Sequence, residues 1–322
     1  MNLPDLPPPA PPADATFDSS RNAWILSRYA DVLLAFREHR LIPIGSGREE
    51  SVAQSAEALL KLRAETFAAL SPAALAGWRE QLTAMANRMV DELPLRRPVD
   101  LIGEFLEPWC AAMAVMVTGA DPADGVRLVE LARRADARAE LERALPNSAM
   151  GEPVFMALSQ TLPCFLGRAW LALLRDPRQL LRLQARSDLM PGAIEELLRY
   201  AGVAQKLYRR ALEDVSLGSF AMAAGQDAIL MVASANRDPE QFSDPNRLDI
   251  ERRPAGQLGL GAAVHSCAGA ALIRMGATIA TAALIGRLDA ETVRPSVQWR
   301  GAGSIACASE LQVVMAASSM GR

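Results

Sequence analysis

A single cysteine set between a glycine-rich loop and an alanine-rich run constrains this chain more than any other feature. The segment Gly259-Leu260-Gly261-Ala262-Ala263-Val264-His265-Ser266-Cys267-Ala268-Gly269 is built mostly of small residues, and Ala268 to Leu288 continues it with helical spacing. Small residues let a backbone pass close to a flat ligand. At a helix start, unsatisfied N–H groups and the positive end of the helix dipole favour a thiolate over a thiol. Donors aimed at the sulfur tune a metal bound there. A lone cysteine before a helix is more often a small buried hydrophobe, so Cys267 counts as a ligand only with support from elsewhere in the chain.

The 322 residues are 50% hydrophobic, ample for a large core and too apolar for a disordered chain. A net charge of -3 and a pI near 5.6 give no surface for holding phosphate backbones, so nucleic acid is set aside. Met1 to Ala13 is crowded with proline and lacks the basic start and apolar run of a secretory signal. Residues 1–20 read as a flexible leader ahead of a single domain over residues 21–322. No uninterrupted apolar run approaches the roughly 18 residues that a membrane span requires. Phe105 to Val117 comes nearest and contains Glu107 and Pro108, so a soluble protein with no membrane partner is expected. Cys110, Cys164, Cys267 and Cys307 lie far apart with no CxxC pair, which suggests neither a disulfide framework nor a zinc site and fits a reducing cytoplasm. Only two histidines, His39 and His265, are present, which removes most His-based clusters.

Helix dominates the reading of the chain. Trp24 to Tyr29 is extended and Ala30 to His39 helical; Val52 to Leu93 is helical with a break at Ser71-Pro72, where serine caps and proline takes the first turn. Asp100 to Thr118 forms a helix ended by Gly119, and Asp124 to Leu145 a charged one. Pro153 to Leu174 is a long apolar helix in which Pro163 removes a backbone donor and should kink or unwind it locally. Helices follow Asp176-Pro177 and Pro191, while Val215 to Ala235 and Val297 to Ala316 read as β structure, the latter turning at Gly301-Ala302-Gly303. The fold class is mainly α with a minor β-sheet.

The cysteine segment resembles that of the cytochrome P-450 family, Phe-Gly-x-Gly-x-His-x-Cys-x-Gly followed by a helix. Gly261, His265, Cys267 and Gly269 match, as do Leu272 and Arg274; Leu260 stands for the usual Phe and Ala263 for the usual Gly. The resemblance implies haem b, iron protoporphyrin IX, with Cys267 as its axial ligand, His265 near a propionate, and Leu260, Gly261 and Gly269 in the cofactor loop. Glu196 and Arg199 share a helix face and resemble the family's Glu-x-x-Arg pair, which ties that helix to the loop before the cysteine. Ala235-Asn236-Arg237-Asp238-Pro239 and Phe242-Ser243-Asp244-Pro245 look like the family's intervening stretch. Arg209 falls where the family sets an arginine against a propionate, a role suited to a fixed fork of donors. Arg63 matches the end of the His-x-x-x-Arg motif, with Leu59 in place of its histidine, and a solvated surface arginine is the competing reading.

Ala157-Leu158-Ser159-Gln160-Thr161 aligns with the Ala-Gly-x-Asp/Glu-Thr of the family's central helix. Thr161 keeps the alcohol, Gln160 replaces the acid, and ordinary helix residues are the alternative. The stretch from Arg63 to Thr161 is short for the family's full set of helices, and the segment before Trp24 lacks the usual first one, which together imply a cytochrome P-450-like fold lacking the first helix and much of the distal roof helices. Implied partners are a small-molecule substrate and a ferredoxin or reductase, with a second copy or a partner protein closing the distal side. Arg178, Arg182, Arg186 and Arg274 are candidates for a docking surface, against a solvated face. The implied activity is monooxygenase-type oxidation of a small biosynthetic compound. Two other readings stay open: an atypical enzyme using peroxide or catalysing a rearrangement without oxygenation, and a non-catalytic haem-binding sensor or partner subunit.

Overall fold

Proline or glycine marks several of the helix boundaries in the computed structural model of this chain. The structure describes residues 9–44, 61, 64–95, 97–146, 150–252, 256–289, 295–300 and 307–315. The chain divides into two compact units: Met1–Leu62 with Glu195–Cys267 and Gly303–Ile305, and Arg63–Ile194 with Ala268–Ala302 and Ala306–Arg322.

The first unit is organised on a five-stranded sheet of β1 (Thr16–Asp18), β2 (Ala23–Leu26), β3 (Leu41–Pro43), β5 (Leu207–Ala211) and β8 (Asp227–Leu230), in the order β1-β2-β8-β5-β3. β2 and β8 run parallel, with Trp24 opposite Ala228, and the other pairs are antiparallel. Helix α1 (Tyr29–Arg37) buries Val32, Ala35 and Phe36 on one face, against Leu26, Leu41, Leu230 and Val232. β6 (Val215–Leu217) and β7 (Phe220–Met222) form a hairpin whose turn needs Gly218 at φ 58°. Three expectations are corrected here. Thr16–Asp18, inside the expected leader, pairs with β2, and Ala13 exchanges backbone hydrogen bonds with the Ser27 hydroxyl. The strand carrying Arg209 was not foreseen, because Leu207-Tyr208-Arg209-Arg210-Ala211 lacks clean apolar alternation. The expected β run to Ala235 ends at Leu230, and Val232–Ala235 turns helical.

The second unit holds most of the helices: α2 (Pro72–Glu92), α3 (Glu107–Thr118), α4 (Gly125–Arg133), α5 (Arg138–Ala144), α6 (Glu152–Met156), α7 (Leu162–Arg175), α8 (Pro177–Ala185) and α11 (Ala270–Ile285). α9 (Met190–Ala201) begins in it and continues into the first unit, where the short α10 (Val232–Ala235) also lies. The Ser71 hydroxyl accepts from the Ala74 amide with Pro72 in the first turn, and Gly119 ends α3 at φ 69°. Two π-helical stretches, Leu101–Leu106 and Ala157–Thr161, each stop two residues before a proline, Pro108 and Pro163. A proline has no N–H to return to the carbonyl four residues back, so the helix widens there; the Glu107 amide reaches Ile102 and the Leu162 amide reaches Ala157, five residues back.

Leu101–Thr118 is therefore one continuous helical run, long and apolar enough by composition to cross a membrane, and 61% of it is buried inside the protein. This corrects the expectation that Glu107 and Pro108 break it: both occupy the first turn of α3, where a missing N–H is harmless and a carboxylate suits the helix start. The charged helix expected over Asp124 to Leu145 divides into α4 and α5 around a 3-10 turn at Ala135–Ala137. A three-stranded antiparallel sheet, β4 (Pro98–Asp100), β10 (Cys307–Val314) and β9 (Ser296–Arg300), completes the unit, and the expected turn at residues 301–303 lies outside the described residues. Cys164 and Cys307 are joined by a disulfide across 143 residues, against the expectation drawn from their spacing. Gly167, one helical turn on from Cys164, lets α7 and β10 close up: a Cβ there would lie 3.2 Å from that of Ala308.

Candidate functional site

Cys267 ends a loop that turns on its own backbone. The Gly261 amide donates to the Leu258 carbonyl at 3.0 Å, the His265 amide to Ala262 at 3.0 Å, and the Cys267 amide back to Leu260 at 2.7 Å. Gly261 holds φ 70°, and a Cβ on it would collide with the His265 carbonyl. Ala263 is also left-handed, at φ 46°, at the position where the family pattern places glycine. Leu258 and Ala262 seat the loop on the core of the first unit. Beyond them, every residue from Gly259 to Ala270 is at least partly exposed.

The base of the loop is wired to α9. Glu196 and Arg199 are fully shielded and form a two-pronged ion pair, 2.7 Å from Nε to Oε2 and 2.8 Å from Nη2 to Oε1. Arg199 also donates to the carbonyls of Asn236 and Pro245, each at 2.8 Å, and Glu196 accepts from the Asp249 amide and from Nε of Arg252. Asn236, itself buried, then accepts from the Leu258 amide through Oδ1 at 2.8 Å. A chain of bonds thus runs from the α9 pair through Asn236 to the start of the cysteine loop. Gln257 holds the Gly259 amide at 2.7 Å and donates to Glu195. At Gly259 a Cβ would stand 2.8 Å from the Leu198 carbonyl, so only glycine fits against α9.

Arg209 lies in β5 of the same unit, only 7% exposed, with Nη1 donating to the Tyr208 carbonyl and its guanidinium 5.9 Å from the Phe36 ring centre. The His265 Nε2 sits 3.1 Å from the Glu38 carbonyl. A carbonyl only accepts, so that nitrogen carries the proton. Leu260, Gly261, His265 and Cys267 are thus brought together in one loop. Thr161 and Gln160 lie in the second unit on the π turn, Thr161 exposed and the Gln160 amide 3.4 Å from the Ser159 hydroxyl. Gly269 caps α11, and Arg63 lies outside the described residues. Of the proposed docking arginines, Arg178 and Arg186 pair with Asp176 and Asp188 at the surface. Sequence reasoning missed Glu38 and Arg252. The alternation Glu38-His39-Arg40 at a helix end was the available signal for the first.

The loop fits a haem. It offers one sulfur outside the disulfide and partly exposed, in a run of small and apolar residues left incompletely covered, with Val264 at 41%. One sulfur donor on a turn of small and apolar residues suits a flat apolar macrocycle held through a single thiolate.

Residues 181–300 match the family model for cytochrome P450. A cytochrome P450 monooxygenase, PikC, of Streptomyces venezuelae is 40% identical over 139 residues, 43% of this chain and 33% of that protein. Cytochrome P450 133B2 of Xylella fastidiosa (strain 9a5c) is 31% identical over 65% of each chain. The chain therefore spans a third of the first and just under two thirds of the second. The crystal structure of cytochrome P450 CYP109B1 from Bacillus subtilis superposes with a TM-score of 0.79 at 22% identity, covering 94% of this chain and 96% of that one. So extensive an overlay lends no support to the expected loss of the first helix and the roof helices. The fold, the cysteine loop and the Glu196–Arg199 pair agree with this likeness, which is to the cytochrome P450 family.

Proposed function

We propose that the chain is a haem-thiolate oxidoreductase that carries out monooxygenase-type oxidation of a small organic, biosynthetic substrate. The observation that carries this reading is the loop itself: a partly exposed cysteine sulfur on a glycine-shaped turn, anchored through Asn236 to a fully buried ion pair. When bound, haem b would supply the activation of oxygen and the oxidising equivalents. Cys267 is the proposed iron ligand, Leu260, Gly261 and Gly269 the residues that let the loop approach the macrocycle, and Arg209, His265 and Arg63 the groups set near its carboxylates. The Thr161 hydroxyl is proposed to hold and pass a proton, with the Gln160 amide orienting it; an amide cannot deliver a proton as a carboxylic acid would.

The reading takes residues 21–322 as one haem-binding domain supplied with electrons by a ferredoxin or reductase, with a second copy or partner protein over the substrate side. A cytoplasmic location belongs to the proposal, although the Cys164–Cys307 bond withdraws cysteine spacing as its support. The absorption spectrum of the reduced, carbon monoxide-bound protein tests it. The red-shifted thiolate band is expected in the parent and is lost in Cys267→Ser; a parent that takes up no haem overturns the proposal. A second reading has its own observation: Gln160 in place of an acid favours peroxide-driven chemistry, and turnover with peroxide alone would support it.

A further inference from the structure

The end of α1 is joined to the cysteine loop by a contact that the family pattern does not require. Glu38 caps the helix, and its carbonyl accepts from both the Leu41 amide at 3.2 Å and Nε2 of His265 at 3.1 Å. Its carboxylate is held from the other side: Oε1 accepts from the Arg40 amide at 3.0 Å and from Nε at 2.8 Å, and Oε2 accepts from Nη2 at 2.7 Å. Arg40 is itself fixed to the segment that follows β5, with Nη1 donating to the Asp214 carbonyl and its own carbonyl accepting from the Leu212 amide at 3.0 Å. The turn from Glu38 to Leu41 is thus closed by side-chain and main-chain bonds together, and its Glu38 carbonyl meets the imidazole two residues before Cys267.

We infer that Glu38 and Arg40 are positioning residues for the cysteine loop: their ion pair locks the turn that presents the Glu38 carbonyl to His265. The inference rests on the haem-thiolate reading of Cys267. It adds that the His265 Nε2 proton is committed to the Glu38 carbonyl, so that the ring's other nitrogen, Nδ1, is the one left to face the cofactor. A two-pronged guanidinium–carboxylate pair has the rigidity this needs, which a single flexible amine would lack. Removing the pair leaves the carbonyl in the chain and lets the turn move, so the His265 bond lengthens or breaks.

The chain's two histidines make the test direct. In a His39→Asn background the only imidazole left is that of His265, and nitrogen-15 labelling of histidine reads its Nε2–H alone. The measurement uses the purified full chain, in its diamagnetic ferrous carbon monoxide form when it carries haem. A protected Nε2–H is expected in the parent, exchanging roughly five- to tenfold faster in Glu38→Ala and in Arg40→Ala, with a smaller change in Glu38→Gln, which keeps one acceptor. The same variants should lose part of the red-shifted thiolate band under conditions where the parent keeps it. An Nε2–H equally protected in all four proteins overturns the inference, as does an unprotected one in the parent. Should the parent bind no haem, the proposed function fails, and the imidazole signal still decides on the clamp.

Discussion

The Arg199 guanidinium lies flat against the Glu196 carboxylate with both side chains at 0% exposure, and its remaining donors reach main-chain carbonyls 37 to 48 residues away. Neither ion can turn to water: removing Glu196 leaves Arg199 buried without its counter-charge, and removing Arg199 leaves Glu196 only the Arg252 guanidinium, at 3.2 Å, as counter-charge. Arg199→Ala and Glu196→Ala should each cost about 3–5 kcal/mol, and Arg199→Lys most of that, because one ammonium cannot serve the carboxylate and the carbonyls of Asn236 and Pro245 at once. Denaturant unfolding of the three variants checks this; a loss in Arg199→Lys within experimental error of zero would contradict the two-pronged assignment.

The Cys164–Cys307 bond closes a long loop between α7 and β10 and restricts the unfolded chain. Reduction, or the double change Cys164→Ser with Cys307→Ser, should lower stability by about 2–4 kcal/mol and the Tm by several degrees. Thermal melts with and without a dithiol, beside peptide mapping under non-reducing conditions, give the answer. An identical melt in both states would show that the bond does not form in solution.

Glu38 gives the chain a specific acid sensitivity. The hydrogen-bonded Arg40 guanidinium, with His39 nearby, holds its carboxyl at about 2, below the ordinary 4.5. A carboxyl lowered on folding stabilises fully above its unfolded value, and that contribution fades as pH falls through the folded one. The Glu38–Arg40 contribution should therefore be intact above about pH 4.5 and disappear towards pH 2. Unfolding midpoints measured across that window should decline less steeply in Glu38→Gln than in the parent, and parallel curves would refute the assignment.

Much of this architecture was legible because it is written locally. Ser71-Pro72, Gly119 and Pro163 each mark a helix boundary or distortion by their own backbone chemistry, and each does so where the spacing predicted. The cysteine loop was legible for the same reason. What escaped depends on distance along the chain. Nothing near Cys164 or Cys307 announces a partner 143 residues away, and nothing in Thr16-Phe17-Asp18 shows that β2 will pair with it. The bond from Glu38 to His265 is made by a main-chain carbonyl, which every residue possesses, so side-chain identity gives no hint of it.

Ala263 holds φ 46°, a conformation in which its Cβ crowds the following carbonyl. Glycine there would relieve that strain, partly offset by the greater freedom of the unfolded chain. Ala263→Gly should therefore stabilise the protein by up to about 1 kcal/mol. Matched melts of parent and variant measure it, and a clear destabilisation would mean that the loop does not adopt this turn.

Pro163 offers the sharpest test of the π turn. Its missing N–H leaves the Ser159 carbonyl without the usual partner four residues on, and Thr161 and Gln160 sit on the widened turn that results. Pro163→Ala restores that donor, so the α-helical bond can form and the extra residue of the π turn must be absorbed. Each residue of register turns a side chain by roughly 100° about the helix axis, enough to redirect both polar groups. Hydrogen exchange should then show protection at the new amide of position 163. Turnover should fall while the thiolate band persists, because Cys267, the proposed iron ligand, lies on a different segment. Protection at position 163 with turnover unchanged would remove Thr161 and Gln160 from the proposed chemistry.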